Sequence, residues 1–176
     1  MNPGTDLKPD AVDVDHLFCE AFELLGKVIS TPSFSREEAG TADVLEAFFA
    51  KNKIKTSRVG NNVWATNKHF AEGKPTILLC SHHDTVRPAT GYTRDPFDPE
   101  VYDDKLYGLG SNDAGASLAS MAVTLGWFYF LEYLPFNLVF AGVAEEEISG
   151  SGGVESLLPH LPKIDCAIVG EPTGCR

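Results

Sequence analysis

A chain of 176 residues has the length of one domain, and 43% apolar against 22% charged residues is the composition of a core-forming, folded protein. The formal net charge of −11 excludes nucleic acid and anionic membrane as expected partners, because phosphate-rich surfaces need a basic face. Four scattered cysteines, Cys19, Cys80, Cys166 and Cys175, show no paired spacing and predict reduced thiols in a cytoplasmic setting.

Residues 1–6 carry neither a basic start nor an apolar stretch, so no secretory leader is expected. In residues 12–29, Val12, Leu17, Phe18, Phe22, Leu24, Leu25 and Ile29 recur at threes and fours, which predicts an amphipathic helix against a core, capped by Asp10. The polar stretch 30–35 ends it. Ser35, with Glu38 three residues on, predicts the cap of a second helix running to about Asn52.

Strand-like runs follow at 55–59 and 63–66, split by the turn Gly60-Asn61-Asn62. Residues 76–80 and 136–143 read as apolar runs, as suits strands covered on both faces, and 164–169 is a third, softer one. Helical stretches at 113–133 and 152–158 lie between them. The most apolar segment, 125–134, is too short to span a bilayer. Strands alternating with helices predict an α/β fold with parallel pairs, in which chemistry gathers beyond the carboxyl ends of the strands.

The three strands that read as buried each run into polar residues: Ser81-His82-His83-Asp84, Glu145-Glu146-Glu147 and Glu171-Pro172-Thr173. Asp113 opens the central helix behind a glycine-flanked turn, Gly108 to Gly110. If the strands are neighbours, an imidazole and several carboxylates converge, which is the donor set of a divalent metal. Each signal has a plainer reading. His82 could be a solvated loop residue, the glutamates could complement a helix dipole, Asp113 could be a cap, and Glu171 could serve a turn. The glycine-rich stretch 108–115 fits neither phosphate-binding fingerprint.

Together these stretches resemble the dinuclear zinc hydrolases that include acetylornithine deacetylase, succinyl-diaminopimelate desuccinylase, aminoacylase and related carboxypeptidases. The resemblance rests on His82-His83-Asp84-Thr85-Val86, on Asp95-Pro96-Phe97 followed by Tyr107-Gly108-Leu109-Gly110-Ser111-Asn112-Asp113, on Glu145-Glu146-Glu147, and on Gly170-Glu171-Pro172-Thr173. Within the family it is most similar to acetylornithine or acetylcitrulline deacetylases, which implies a place in arginine biosynthesis. Leu109, Glu145 and the run Ala114-Gly115-Ala116 depart from the usual pattern, and none of them removes an implied ligand.

The resemblance implies a three-layer α/β sandwich around a mostly parallel mixed sheet and two zinc ions, with cobalt as a substitute. Asp113 would bridge the ions, His82 and Glu171 would complete one shell, and Glu147 would bind the other. Asp84 would hold the His82 imidazole from behind, Glu146 would be the general base, and the Asp113–Ala114 peptide would be cis. The substrate would be a small N-acyl amino acid. Members of the family are longer, so the chain is expected to be the amino-terminal part of a catalytic domain, lacking a lid that dimerises and a late metal-binding histidine, and to turn over little by itself. The rival readings are a dinuclear aminopeptidase or dipeptidase, and a non-catalytic metal-binding relative. A two-carboxylate glycosidase would leave His82 and Asp84 without a role.

Overall fold

The computed structural model describes residues 12–173. The first helix, α1 (Val14–Ile29), is capped by Asp13, whose carboxylate accepts the His16 N–H at 3.0 Å. The expected cap, Asp10, lies outside the described residues. Leu24, Val28 and Ile29 are the buried positions of α1, whereas Phe18 and Phe22, expected in the core, face solvent. The second helix, α2 (Ala39–Lys51), begins later than the capping pattern predicts. Arg36 takes a φ of 75°, which no right-handed helix can contain, and Ser35 is therefore not its cap.

A hairpin of β1 (Ser57–Val59) and β2 (Asn62–Thr66) turns through Gly60, at φ 59°, and Asn61. After it come β3 (Thr76–His82), the small pair β4 (Val101–Tyr102) and β5 (Lys105–Leu106), and α3 (Ala116–Tyr129). The chain continues through β6 (Asn137–Val143), the short α4 (Val154–Leu157) and β7 (Cys166–Val169). The five-stranded sheet has the order β1-β2-β6-β3-β7. β3 runs parallel to both β6 and β7, and the β1–β2 hairpin joins the far side of β6 antiparallel. The sheet is mixed as expected, with its parallel pairs confined to the three strands that carry the polar ends.

β6 is buried along its whole length and β3 nearly so, which is why 138–143 and 77–80 within them are continuously apolar. One face of the sheet packs on α1, α2 and α3 around Leu45, Phe49, Leu118, Leu125 and Phe140. The Phe49 and Phe140 rings meet edge to face at 5.2 Å, a geometry worth about 0.5–1.5 kcal/mol beyond burial. The other face packs Leu78, Val139, Ala141 and Val143 on Leu157 of α4. β7 is a sheet edge whose four residues are all exposed, Cys166 among them, although its sequence reads as a core strand. Among the described residues no helix is long and apolar enough to cross a membrane.

Because β3, β6 and β7 are parallel and in register, with Cys80 opposite both Ala141 and Val169, their carboxyl ends emerge side by side. The residues that follow each strand are brought to one end of the sheet by topology alone.

Candidate metal centre

His82 closes β3 with its side chain fully buried. Its Nδ1–H donates to the backbone carbonyl of Asp84 at 3.0 Å, and the Asp84 carboxylate stands 3.3 Å from the same nitrogen. Its Nε2 faces the opening, 3.0 Å from Asp113 Oδ1, 3.7 Å from Glu171 Oε1 and 3.8 Å from Glu146 Oε2. One donor atom from each of His82, Asp113 and Glu171 falls within 4.8 Å of the others. Glu147 stands outside that trio.

Each carboxylate has a local reason for its position. Asp113 does not open α3 as the sequence suggests. It sits in a tight turn, Ser111–Gly115, whose Asp113 and Ala114 have non-helical φ/ψ, and the peptide between them is cis. The turn is entered through Gly110 at φ 72°, where a Cβ would strike Thr85 Cγ2 at 2.6 Å. Glu171 follows Gly170, whose N–H donates to the Cys80 carbonyl at 2.8 Å and whose own carbonyl accepts from Ser81 Oγ at 3.0 Å. A Cβ at Gly170 would lie 2.6 Å from Ser117 Cβ, so only glycine lets β7 end so close to α3.

Asp84 is the most heavily supported group. It is fully buried, and its carboxylate accepts from Ser35 Oγ at 2.7 Å and from the backbone N–H groups of Glu146 and Glu147 at 3.0 and 3.1 Å. Burial opposes its charge, but the His82, Ser35 and two backbone donors outweigh that and hold Asp84 below the usual carboxylate range. Burial likewise works against a charged His82, yet its bonds to Asp84 and Asp113 raise its pKa to about 9. The neighbouring His83 is different. Burial lowers it to about 4, and with Nε2–H donating to the Asn61 carbonyl at 3.0 Å and Nδ1 against Thr41 Oγ1 at 2.8 Å, it is a neutral structural residue.

Burial raises the pKa of Glu147, with the charge of Asp113 adding to it. Burial also raises Glu171, which Glu146 and Asp113 push further against the opposing pull of His82. Carboxylates that repel one another around a single imidazole form a site whose charge a divalent cation neutralises, and the nitrogen-plus-oxygen donor set fits zinc. The Nδ1–H bond of His82 sets the ring from behind and turns Nε2, which meets Asp113 Oδ1 at 3.0 Å, toward the opening, where loss of its proton makes it a ligand.

Three contributors were not legible as such. Ser35 reads as a helix cap and instead supports Asp84, while Glu38 and Asn62 are fully buried and hydrogen-bond the glutamate loop from other segments.

Residues 78–176 match the sequence profile of peptidase family M20/M25/M40. A succinyl-diaminopimelate desuccinylase of Delftia acidovorans is 32% identical over 168 residues, covering 86% of this chain and 43% of its own length. One from Wolinella succinogenes is 32% identical over 162 residues, covering 86% and 42%. The chain thus spans less than half the length of these curated relatives. Among solved structures, an M20 family metallo-carboxypeptidase from Sulfolobus solfataricus superposes with a TM-score of 0.68 at 25% identity, over 89% of this chain and 37% of that one. A dinuclear metal binding peptidase of the M20 family from Bacillus subtilis gives 0.67 at 20% identity, over 90% and 43%, and speaks for the fold alone.

Proposed function

The chain belongs to peptidase family M20/M25/M40, and from that premise we propose that it is the amino-terminal part of the catalytic domain of a zinc-dependent hydrolase that cleaves the amide bond of an N-acyl amino acid. The observation that carries the reading is the convergence of His82 Nε2, Asp113 and Glu171 within 4.8 Å, with Glu146 Oε2 3.8 Å from the same imidazole nitrogen.

In this reading His82, Glu171, Glu147 and Asp113 would hold the zinc ions, with Asp113 shared between them. Zinc in such a site acidifies water and polarises an amide carbonyl. Glu146, half exposed at the mouth, accepts the proton of the attacking water and returns it to the departing amine. Asp84 keeps the His82 ring in the ligating tautomer and, through the amides of Glu146 and Glu147, fixes the backbone that carries base and ligand together.

The acyl group is the open choice. The curated relatives named above are desuccinylases, which favours an N-succinyl amino acid and gives no support to the expected place in arginine biosynthesis. The motif pattern favours an N-acetyl one, ornithine or citrulline. Dimerisation through a further domain and a cytoplasmic setting belong to the same proposal. Cys19, Cys80 and Cys166 are free thiols, and Cys175 lies outside the described residues.

The test is to load the full-length protein with zinc, count the ions and offer N-succinyl and N-acetyl amino acids beside free dipeptides. Two ions per chain and release of the amino acid from an N-acyl substrate are expected. Hydrolysis of free dipeptides alone would replace the deacylase reading with the peptidase one, and a protein that binds no metal would end both.

A further inference from the structure

Four consecutive backbone N–H groups at the end of β6 are accepted by buried side chains from elsewhere in the chain. Ala144 donates to Asn62 Oδ1 at 2.9 Å, Glu145 to Glu38 Oε1 at 3.2 Å, and Glu146 and Glu147 to the two oxygens of Asp84 at 3.0 and 3.1 Å. All three acceptor residues are fully buried. The chain here has left the sheet, and Glu145 turns it through a φ of 53°, so these donors have no strand to pair with.

Asn62 and Asp84 belong to the strands and strand ends that build the site. Glu38 does not. It sits ahead of α2, where its Oε1 also accepts the Arg36 N–H at 2.6 Å and its Oε2 accepts from Asn61 Nδ2 at 2.9 Å. That carboxylate ties the segment before α2, the β1–β2 turn and the glutamate loop to one point.

We propose that Glu38 is a positioning residue for the hydrolytic centre: by holding the Glu145 amide it sets the direction in which the chain delivers Glu146 and Glu147. The inference rests on the roles given to those two glutamates above. With the N–H groups anchored inward, the side chains of Glu146 and Glu147 are directed to the opening, and a displacement of about 1 Å at such a group is enough to cost on the order of a hundredfold in rate. Glutamate is the length the position needs. Aspartate is one methylene too short to span the Glu145 amide and Asn61, and glutamine keeps an accepting oxygen for Arg36 and Glu145 while turning an N–H toward the Asn61 amide.

The experiment compares Glu38→Ala, Glu38→Gln and Glu38→Asp in the full-length, zinc-loaded protein, below the melting transition of every variant. Glu38→Ala and Glu38→Asp should lower kcat about tenfold or more with KM changed less than about threefold, and Glu38→Gln should keep about a third of kcat or more. In the metal-free proteins, amide hydrogen exchange in the peptide covering 144–150 should quicken in Ala and Asp, while exchange in β3 and β6 stays as in wild type.

Unchanged kcat and unchanged loop exchange in Glu38→Asp would overturn the proposal, whether or not Glu38→Ala folds. A lowered melting temperature with wild-type kcat and wild-type loop exchange would reduce Glu38 to a structural residue and also overturn it. If wild type itself fails to hydrolyse any amide, the functional reading falls, and the exchange comparison still decides whether Glu38 anchors the loop.

Discussion

Asp84 Oδ1 accepts the backbone N–H of Glu146 at 3.0 Å across 62 positions of sequence, while the same residue's carbonyl accepts from the ring of His82. The end of β3 therefore orients an imidazole and a carboxylate-bearing loop with one residue, and the two cannot move independently.

Asp84→Asn separates these duties. The amide keeps the shape but points N–H groups at backbone donors, so the variant should lose about 1–3 kcal/mol of stability, read by denaturant titration. Zinc affinity should fall about 10- to 100-fold by chelator competition, and wild-type affinity would show that His82 is oriented by the Asp84 carbonyl alone.

Glu146→Gln removes a proton acceptor and leaves the proposed ligands in place. Hydrolysis by the full-length protein should drop by about 10²- to 10⁴-fold with zinc content unchanged, as measured by metal analysis beside single-turnover rates. Retained turnover would assign the base elsewhere.

Gly170→Ala places a Cβ 2.6 Å from Ser117 Cβ. The end of β7 must then shift and carry Glu171 with it. A cost of about 1–3 kcal/mol is expected, together with weaker zinc binding. Loss of stability with full affinity would show that Glu171 tolerates the shift and contributes little to the ion.

The metal-free protein should show a pH signature from His82. Its folded pKa, about 9, lies above the value of about 6.5 in an unfolded chain. The stability it contributes is thus fully present below about pH 6.5 and is lost as pH rises from there through 9. Melting temperatures of the metal-free protein should fall across that window, and His82→Asn should flatten the fall. Asp84 has the opposite sign, since its depressed pKa supports the fold at neutral pH and gives way only in acid. Because zinc must displace the His82 proton, zinc affinity should rise over the same interval, visible as protons released on titration.

The strands that make the site were legible because their signal is local. The central residues of these strands, 77–80, 138–143 and 166–169, are apolar, and a parallel sheet converts that into adjacency. What failed were patterns with two physical outcomes. Ser35 and Glu38 satisfy a capping box in sequence, but a left-handed Arg36 turns the chain away from the helix and frees both side chains for long-range partners. Phe18 and Phe22 fit a helical period, yet the buried face of α1 is set by Leu24 and Val28, and periodicity alone does not say which of two apolar stripes faces inward. Residue pattern alone makes Asp113 a helix start, and the non-helical turn is announced only by the family resemblance, whose expected cis Asp113–Ala114 peptide the structure has.

The exposure of Cys166, Ala167, Ile168 and Val169 has a practical outcome for anyone handling this polypeptide. A border strand with unsatisfied main-chain groups and greasy side chains is a template for further strand addition. Purified without a segment to cover that border, the chain should self-associate with rising concentration, and a charged replacement such as Ile168→Lys should keep it monodisperse.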